Sequence, residues 1–440
     1  MLYLYTLQLE KLEKKGYKLY MNQIKPMLLT TLKSYDRSQF VKDVTAGIIV
    51  AIIALPLSIA LALASGVGPQ AGIFTAIVAG FVISAFGGSN VQIAGPTAAF
   101  ATIVAGIVAK DGLDGLVIST ILAGIFLILM GLCHFGSLIK FIPYTITTGF
   151  TSGIAVTIVI GQLKDFFGVT YPNGLKPIET MEKLNAFALG FSSFHVDALI
   201  VGGVSLAILI ISPYIFKRIP GSLIAVVIGI LMVKFLPLHV STIGNLYTIT
   251  NDLPSFHIPA VKFSMVKSAI PNAFTIAVLA AIESLLSCVV ADGMINGKHR
   301  SDTELVAQGL GNIASALFGG IPATGAIART AANIKNGGRT PVAGMVHSIT
   351  LVIVLVVLMP FAGMIPMPTI AAILFVVAYN MCQWRTFVHM LKTAPKNDII
   401  VLIVTFILTV VFDLVVAIEI GMVIACLLFI KRMSEETHVD

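Results

Sequence analysis

Apolar runs of about 20 residues recur from about residue 44 to residue 430, and they constrain the fold more than any other feature. A helix needs about 20 such residues to cross the hydrocarbon core of a bilayer. Of the 440 residues, 57% are hydrophobic and 11% are charged, whereas soluble domains carry about 25% charged residues. The sequence therefore predicts an all-α polytopic membrane protein and excludes a water-soluble globular domain.

Hydropathy places fourteen candidate spanning segments along the chain. Their approximate ranges are 44–64, 70–86, 91–109, 113–133, 139–162, 195–215, 221–238, 268–290, 303–318, 322–336, 341–362, 366–382, 397–412 and 414–431. Segments three and ten differ from the others because glycine, proline and other small residues interrupt them. We predict that these two segments are broken half-helices, each preceded by a short extended strand.

Lys and Arg residues are distributed unequally between the two sides of this topology. The side that holds the N-terminus collects twenty of them, eight within residues 1–43, and the opposite side collects seven. Cytoplasmic loops carry the excess of Lys and Arg, so the N-terminal segment 1–43 and the tail 433–440 are both predicted to be cytoplasmic. The same bias accounts for the net charge of +7 without a nucleic-acid partner.

The tripeptide Phe-Gly-Gly occurs twice, at 86–88 and at 318–320. Each copy precedes a few residues of extended character and then an Ala- and Thr-rich helix start, where Pro96 suits the first helical position. Interrupted apolar segments at corresponding places in two halves are typical of transporters built from inverted repeats. Two half-helix N-termini would then face each other near the bilayer midplane. Chance recurrence in a glycine-rich chain is the alternative.

Arg329 falls at membrane depth in the second of these stretches. A charge there costs about 2.5–3.5 kcal/mol on insertion scales, so it indicates a functional site. Free N–H groups, the positive end of a helix and one cation converge at this position, and the ligand that they favour is an anion. The alternative is an arginine whose side chain extends to a helix end at the membrane surface.

Glu283 lies near the middle of segment eight, well inside a spanning helix. Burial and a neighbouring cation act in opposite directions on the pKa of a carboxyl group, so Glu283 is a candidate proton-coupling residue. Ser287 is one turn along the same helix face and is predicted to hydrogen-bond the carboxyl or to help hold a cation. The alternative is a core carboxyl that fastens segment eight to segment ten.

Residues for other chemistries are not grouped in this sequence. The four cysteines lie in apolar segments without metal-ligand spacing, and His134 and His347 are isolated from other candidate ligands. No Gly-Lys-Ser/Thr phosphate loop is present, and no Ser/His/Asp arrangement has a supporting context. We therefore predict no enzyme activity, no cofactor, no metal site and no ATP-driven transport.

Several motifs resemble those of the SulP sulfate-permease family. They are Asp-Val-Thr-Ala-Gly at 43–47, Ala-Leu-Pro-Leu-Ser-Ile-Ala at 54–60, Phe-Gly-Gly at 86–88 with Gly-Pro-Thr at 95–97, Glu-Ser-Leu-Leu at 283–286, Phe-Gly-Gly-Ile-Pro at 318–322 and Ala-Arg-Thr at 328–330. The resemblance extends over about residues 38–435. Together these motifs are specific to the family.

The resemblance implies a seven-plus-seven inverted repeat in a transmembrane domain of about residues 44–432. Segments 1–4 and 8–11 would form a core domain, and segments 5–7 and 12–14 a gate domain. Their approximate ranges are 44–133 and 268–362 for the core, and 139–238 and 366–431 for the gate. It further implies elevator-type movement of core against gate, a homodimer and a location in the cell membrane. Most family members continue into a cytoplasmic STAS domain, which we expect to be absent here.

By position, the resemblance also implies an anion pocket between segments one, three and ten. Its predicted residues are Leu57, Leu61, Thr97, Ala98, Ala326, Ile327, Ala328 and Arg329. Related proteins often have glutamine and phenylalanine where Leu57 and Leu61 stand, so backbone N–H groups must contribute more here. Sodium-coupled relatives have a hydroxyl residue near the position of Ile327, whose side chain cannot coordinate sodium. This difference favours protons over sodium.

The function implied is secondary active transport of a sulfate, bicarbonate or C4-dicarboxylate anion by proton-coupled symport. The partners implied are the anion, a proton and the lipid bilayer. Two alternatives remain at this point. One is an uncoupled anion channel or exchanger, which Glu283 argues against. The other is a nucleobase:proton symporter of similar fold, whose members tend to carry acidic residues in both segments eight and ten. Here segment ten offers Arg329 and no acid.

Overall fold

The computed structural model describes residues 25–137, 144–172, 175, 177–216, 220–259 and 263–411. The helices are α1 (Met27–Thr31), α2 (Arg37–Ala64), α3 (Pro69–Phe86), α4 (Ala98–Leu132), α5 (Tyr144–Phe167), α6 (Thr180–Gly190), α7 (Val196–Ile215), α8 (Gly221–Phe235), α9 (Ile243–Leu246), α10 (Phe263–Ile295), α11 (Ser301–Leu317), α12 (Ile327–Lys335), α13 (Pro341–Ala362), α14 (Met367–Cys382), α15 (Trp384–Thr393) and α16 (Lys396–Val411). Two short strands, β1 (Ala94–Gly95) and β2 (Thr324–Gly325), precede α4 and α12.

Eight helices in this part of the chain are long and apolar enough to cross a membrane, and α8 is a shorter apolar helix. The predicted segments three and four are joined in α4, which departs from helical geometry at Gly112 (φ 72°, ψ −172°). Glycine adopts this positive φ without steric cost, so the chain can turn back there. The fourteenth predicted segment, 414–431, lies outside the described residues.

The two broken segments have the predicted form, with one local correction. Each half-helix follows a two-residue strand, and α12 contains nine residues. Nine helical residues rise about 14 Å, roughly half of the 30 Å hydrocarbon core. Pro96 does not occupy the first helical position as expected, because Thr97 is the N-cap and α4 begins at Ala98.

Helix packing follows the symmetry of an inverted repeat. Helices α2 and α3 of the first repeat both pack on α13 of the second repeat. Their counterparts α10 and α11 of the second repeat both pack on α4 of the first. Small residues allow the closest approaches. A Cβ atom at Gly124 would lie 2.6 Å from the carbonyl oxygen of Gly309, and one at Gly47 would lie 2.6 Å from that of Ala343. A second group of helices packs together separately: α5 contacts α14 and α16, and α14 also contacts α7.

Asp43, in the first sequence motif, fastens the start of α2 to the start of α13. Its carboxylate is fully buried and accepts hydrogen bonds from the hydroxyls of Thr340 (2.6 Å) and Tyr35 (3.0 Å) and from the amide of Gln39 (2.9 Å). Burial, followed by the hydrogen bond to Asp43, raises the pKa of Tyr35 to about 12. The motif therefore has a structural role at this end of the helices.

Candidate functional site

The two short strands cross at the centre of the helix packing and bring two helix N-termini together. β1 and β2 pair in antiparallel orientation, with Ala94 opposite Gly325 and Gly95 opposite Thr324. Helices α4 and α12 begin a few residues beyond this crossing. The first N–H groups of a helix have no acceptor within the helix, and the helix dipole is positive at that end. The crossing therefore directs two sets of donors towards one region.

A cavity of about 370 Å³ lies at this region. All eight predicted substrate residues line it, together with Glu283. They are Leu57, Leu61, Thr97, Ala98, Ala326, Ile327, Ala328 and Arg329. Helices α5 and α14 provide the facing wall, and its polar residues were not predicted from the sequence: Thr147, Thr151, Asn380 and Gln383. The four-residue spacing of Thr147 and Thr151, which places both on one helix face, could have indicated this pair from the sequence.

Arg329 is the cation of this cavity, and its donors are only partly used. The side chain is 2% exposed, which contradicts the alternative of an arginine that extends to the membrane surface. Its Nη2 donates to the carbonyl oxygen of Pro96, whereas Nε and Nη1 have no hydrogen-bond partner among the described residues. None of the acidic side chains described lies within 4 Å of the guanidinium. A buried cation with free donors and no carboxylate within 4 Å favours an anion as its ligand.

Gly95 makes room for the guanidinium. Its φ is 153°, and a Cβ atom there would lie 2.5 Å from Nη1 of Arg329. The glycine in the Gly-Pro-Thr motif is therefore explained by the close approach of an arginine from the other repeat.

We expect Gly95→Ala to displace the Arg329 side chain and to weaken anion binding by about 1 kcal/mol or more, roughly fivefold. Gly106→Ala is the control, because Gly106 lies in α4, the helix that follows β1, with no neighbouring heavy atom within 4 Å of an added Cβ. Equilibrium binding of labelled anion to both purified variants makes the comparison. Equal affinities would show that Gly95 has no bearing on the arginine.

Glu283 reaches the same cavity from α10. Its Oε2 accepts a hydrogen bond of 3.1 Å from the hydroxyl of Thr97, the N-cap of α4. The carboxyl therefore contacts segment three. The alternative of a core carboxyl that fastens segment eight to segment ten required a contact with segment ten instead. Ser287 does not take part: it is absent from the cavity lining, and its buried hydroxyl has no partner in the described part of the chain. Thr97, and not Ser287 as predicted from the sequence, donates the hydrogen bond to the Glu283 carboxyl.

Hydrogen bonds from neighbouring helices hold both strands in place. The hydroxyl of Ser284 on α10 lies 2.6 Å from that of Thr324 and accepts from the amide N–H of Gly325 at 3.1 Å. From α12, the hydroxyl of Thr330 accepts from the amide N–H of Ile93 at 3.0 Å. The positions of the strands are thus set by polar contacts within the second repeat and by one contact between the two repeats.

A Ser/His/Asp arrangement does occur, at a position away from the cavity. At the turn between α10 and α11, Nδ1 of His299 lies 2.6 Å from Oδ2 of Asp292, and Nε2 lies 3.0 Å from the hydroxyl of Ser301. None of the three lines the cavity. Their hydrogen bonds close a tight turn between the two helices.

A family model described as the sulfate permease family matches residues 40–405. The chain belongs to this family. It is 43% identical over 414 residues to YvdB of Bacillus subtilis strain 168, which bears the name of a sulfate transporter; the match covers 92% of this chain and 77% of that protein. It is also 34% identical over 403 residues to the bicarbonate transporter BicA of Picosynechococcus, with 89% and 70% covered.

Solved structures agree with this assignment. The transmembrane domain of a cyanobacterial bicarbonate transporter, BicA, superposes with a TM-score of 0.77 at 29% identity and covers 89% of this chain and 98% of that one. The murine anion transporter Slc26a9 in its inward-facing state superposes with a TM-score of 0.85 at 20% identity, covering 94% and 72%, which shows the fold alone. The predicted family, the inverted-repeat membrane fold and the assignment to transporters instead of enzymes are confirmed.

Proposed function

We propose that this chain is a secondary active transporter of a small inorganic anion of the sulfate and bicarbonate class. The observation that carries the proposal is Arg329, which is buried beside the cavity and whose Nε and Nη1 have no hydrogen-bond partner in the part of the chain that the structure describes. One guanidinium and two helix N-termini provide a positive site, and such a site suits a small anion. The names of the relatives point to the same substrates.

The transport step is movement of a core domain against a gate domain. The core comprises about residues 44–133 and 268–362 and holds Arg329, Glu283 and both strands; the gate comprises about 139–238 and 366–431. Support comes from the cavity, which lies between α4 and α12 on one side and α5 and α14 on the other. An anion held by the core would then cross the membrane with it, as in an elevator. The protein acts as a homodimer in the cell membrane, with both termini cytoplasmic.

A proton accompanies the anion, and Glu283 carries it. The carboxyl lies in the same cavity as Arg329 and bonds the N-cap of α4 through Thr97, so the anion and the proton would travel together. Ile327 lines the cavity where a hydroxyl would be needed to coordinate sodium. This arrangement favours proton symport over sodium symport.

Purified protein in liposomes tests the proposal directly. We expect saturable uptake of labelled sulfate or bicarbonate that accelerates when the external medium is made more acidic than the lumen. Fumarate, succinate and oxalate serve as comparison anions. Anion uptake that is saturable but indifferent to pH would identify an uncoupled exchanger or channel, and uptake of uracil without any anion flux would identify a nucleobase symporter.

A further inference from the structure

Glu304 is, like Asp43, a fully buried acid, and no sequence motif marks it. It lies in the first turn of α11, where a charged residue is typical of the end of a membrane-spanning segment. Its side chain is nevertheless fully buried. Its carboxylate accepts three hydrogen bonds: from the amide N–H of Gly88 at 2.9 Å, from Nε2 of Gln92 at 2.7 Å and from Nε2 of Gln308 at 2.9 Å.

These contacts join the two repeats. Glu304 and Gln308 belong to α11 of the second repeat, whereas Gly88 and Gln92 belong to the extended segment that leads to β1 in the first. No Lys, Arg or His of the described residues lies within 4 Å of the carboxylate, so the hydrogen bonds alone compensate its burial. Glu304 is also absent from the cavity lining and does not touch a substrate there.

Gln92 connects this carboxylate to the strand crossing. Its Oε1 accepts from the thiol of Cys288 on α10 at 2.9 Å. A Cβ atom at Gly325 would lie 2.3 Å from its Nε2, so the amide is held between Glu304 and β2. Ala94, two residues after Gln92, pairs with that same Gly325 in the strand register.

We propose that Glu304 and Gln92 form a positioning pair that fixes the β1–β2 crossing and, through it, the two helix N-termini and Arg329. The link to Arg329 is direct, because the guanidinium donates to the carbonyl oxygen of Pro96, immediately after β1. A shift of β1 therefore moves both the N-terminus of α4 and the acceptor that orients the arginine. The effect on anion affinity rests on the proposed function; the effect on the strands does not.

Exchanging the two side-chain chemistries provides the test. Glu304→Gln directs an amide N–H₂ towards the N–H₂ groups of Gln92 and Gln308, and Gln92→Glu places two carboxyl groups against each other. The double variant Glu304→Gln/Gln92→Glu restores the pair with reversed polarity: the amide introduced at 304 donates to the carboxylate introduced at 92, and its oxygen still accepts from Gly88. Gln308 adapts by rotating its amide, because its Oε1 has no partner among the described residues and can accept from the new N–H₂ group. A residue that only contributed a local charge would not be rescued by this reversal.

We expect each single variant to bind labelled sulfate or bicarbonate at least fivefold more weakly than the wild-type protein, and the double variant to bind within twofold of it. Hydrogen exchange of peptides covering 88–96 and 320–330 should rise together in the single variants and return in the double variant. Size-exclusion profiles check that all variants fold.

An increase in hydrogen exchange limited to residues 88–96 would overturn the positioning role. So would a double variant that binds anion as weakly as the single variants do. If the wild-type protein binds no anion, the proposed function fails, while the exchange measurement still decides the inference.

Discussion

Arg329→Gln should weaken anion binding by about 1–3 kcal/mol, roughly 5- to 150-fold, because a charged hydrogen-bond donor is lost from a buried site. Its Nε and Nη1 have no protein partner in the described residues, so the variant should lose affinity and keep its fold. Removing the charge also removes the cost of burying it, and we expect no decrease in thermal stability. Equilibrium binding of labelled sulfate and bicarbonate, with a melting curve, measures both effects.

Arg385→Gln is the matched control for this experiment. Arg385 is an exposed arginine on α15 whose guanidinium stacks 5.6 Å from the ring centroid of Trp384, outside the cavity lining. The same loss of charge there should leave anion affinity unchanged. If Arg329→Gln binds anion as tightly as Arg385→Gln does, the cavity beside Arg329 is not the anion site.

Glu283→Gln should bind and exchange anion but lose acceleration by an inward proton gradient. The amide resembles the protonated acid and can still accept a hydrogen bond from Thr97, so the cavity keeps its shape. In the wild-type protein an arriving anion adds negative charge to the cavity and favours protonation of Glu283. By linkage, proton and anion then raise each other's affinity by the same factor.

The membrane potential gives this variant a second and larger signature. One proton moving with one singly charged anion is electroneutral, so wild-type bicarbonate uptake should not respond to voltage. Without the proton, an inside-negative potential opposes the anion by about 2.3 kcal/mol per 100 mV, roughly a 50-fold difference in accumulation. Uptake under potassium-diffusion potentials of both signs measures this response.

Asp114→Asn is the control for Glu283→Gln, since Asp114 is an exposed carboxyl just after Gly112 in α4. It should keep both the pH response and the indifference to voltage. Proton-driven accumulation that persists in Glu283→Gln would place the proton on another group. In that case Glu283 would be a structural acid that bonds Thr97.

The sequence by itself determined the membrane class, the repeat and most of the site. Long apolar runs leave few options in a bilayer, because backbone polar groups must be satisfied within helices. Phe-Gly-Gly at two corresponding places and one arginine at membrane depth were enough to predict two half-helices and an anion site. The residues that the family resemblance placed in an anion pocket, from Leu57 to Arg329, line one cavity.

Only the tertiary structure decided which side chains meet. Thr97 bonds Glu283 across 186 positions of the chain, whereas Ser287, one helical turn away in sequence, has no such contact. Helical spacing identifies neighbours on one face of one helix, but it cannot show which residue of another helix approaches that face. Glu304 illustrates the same limit: no sequence motif marks it, and only the packing of Gly88 and Gln92 against α11 shows that its carboxylate joins the two repeats.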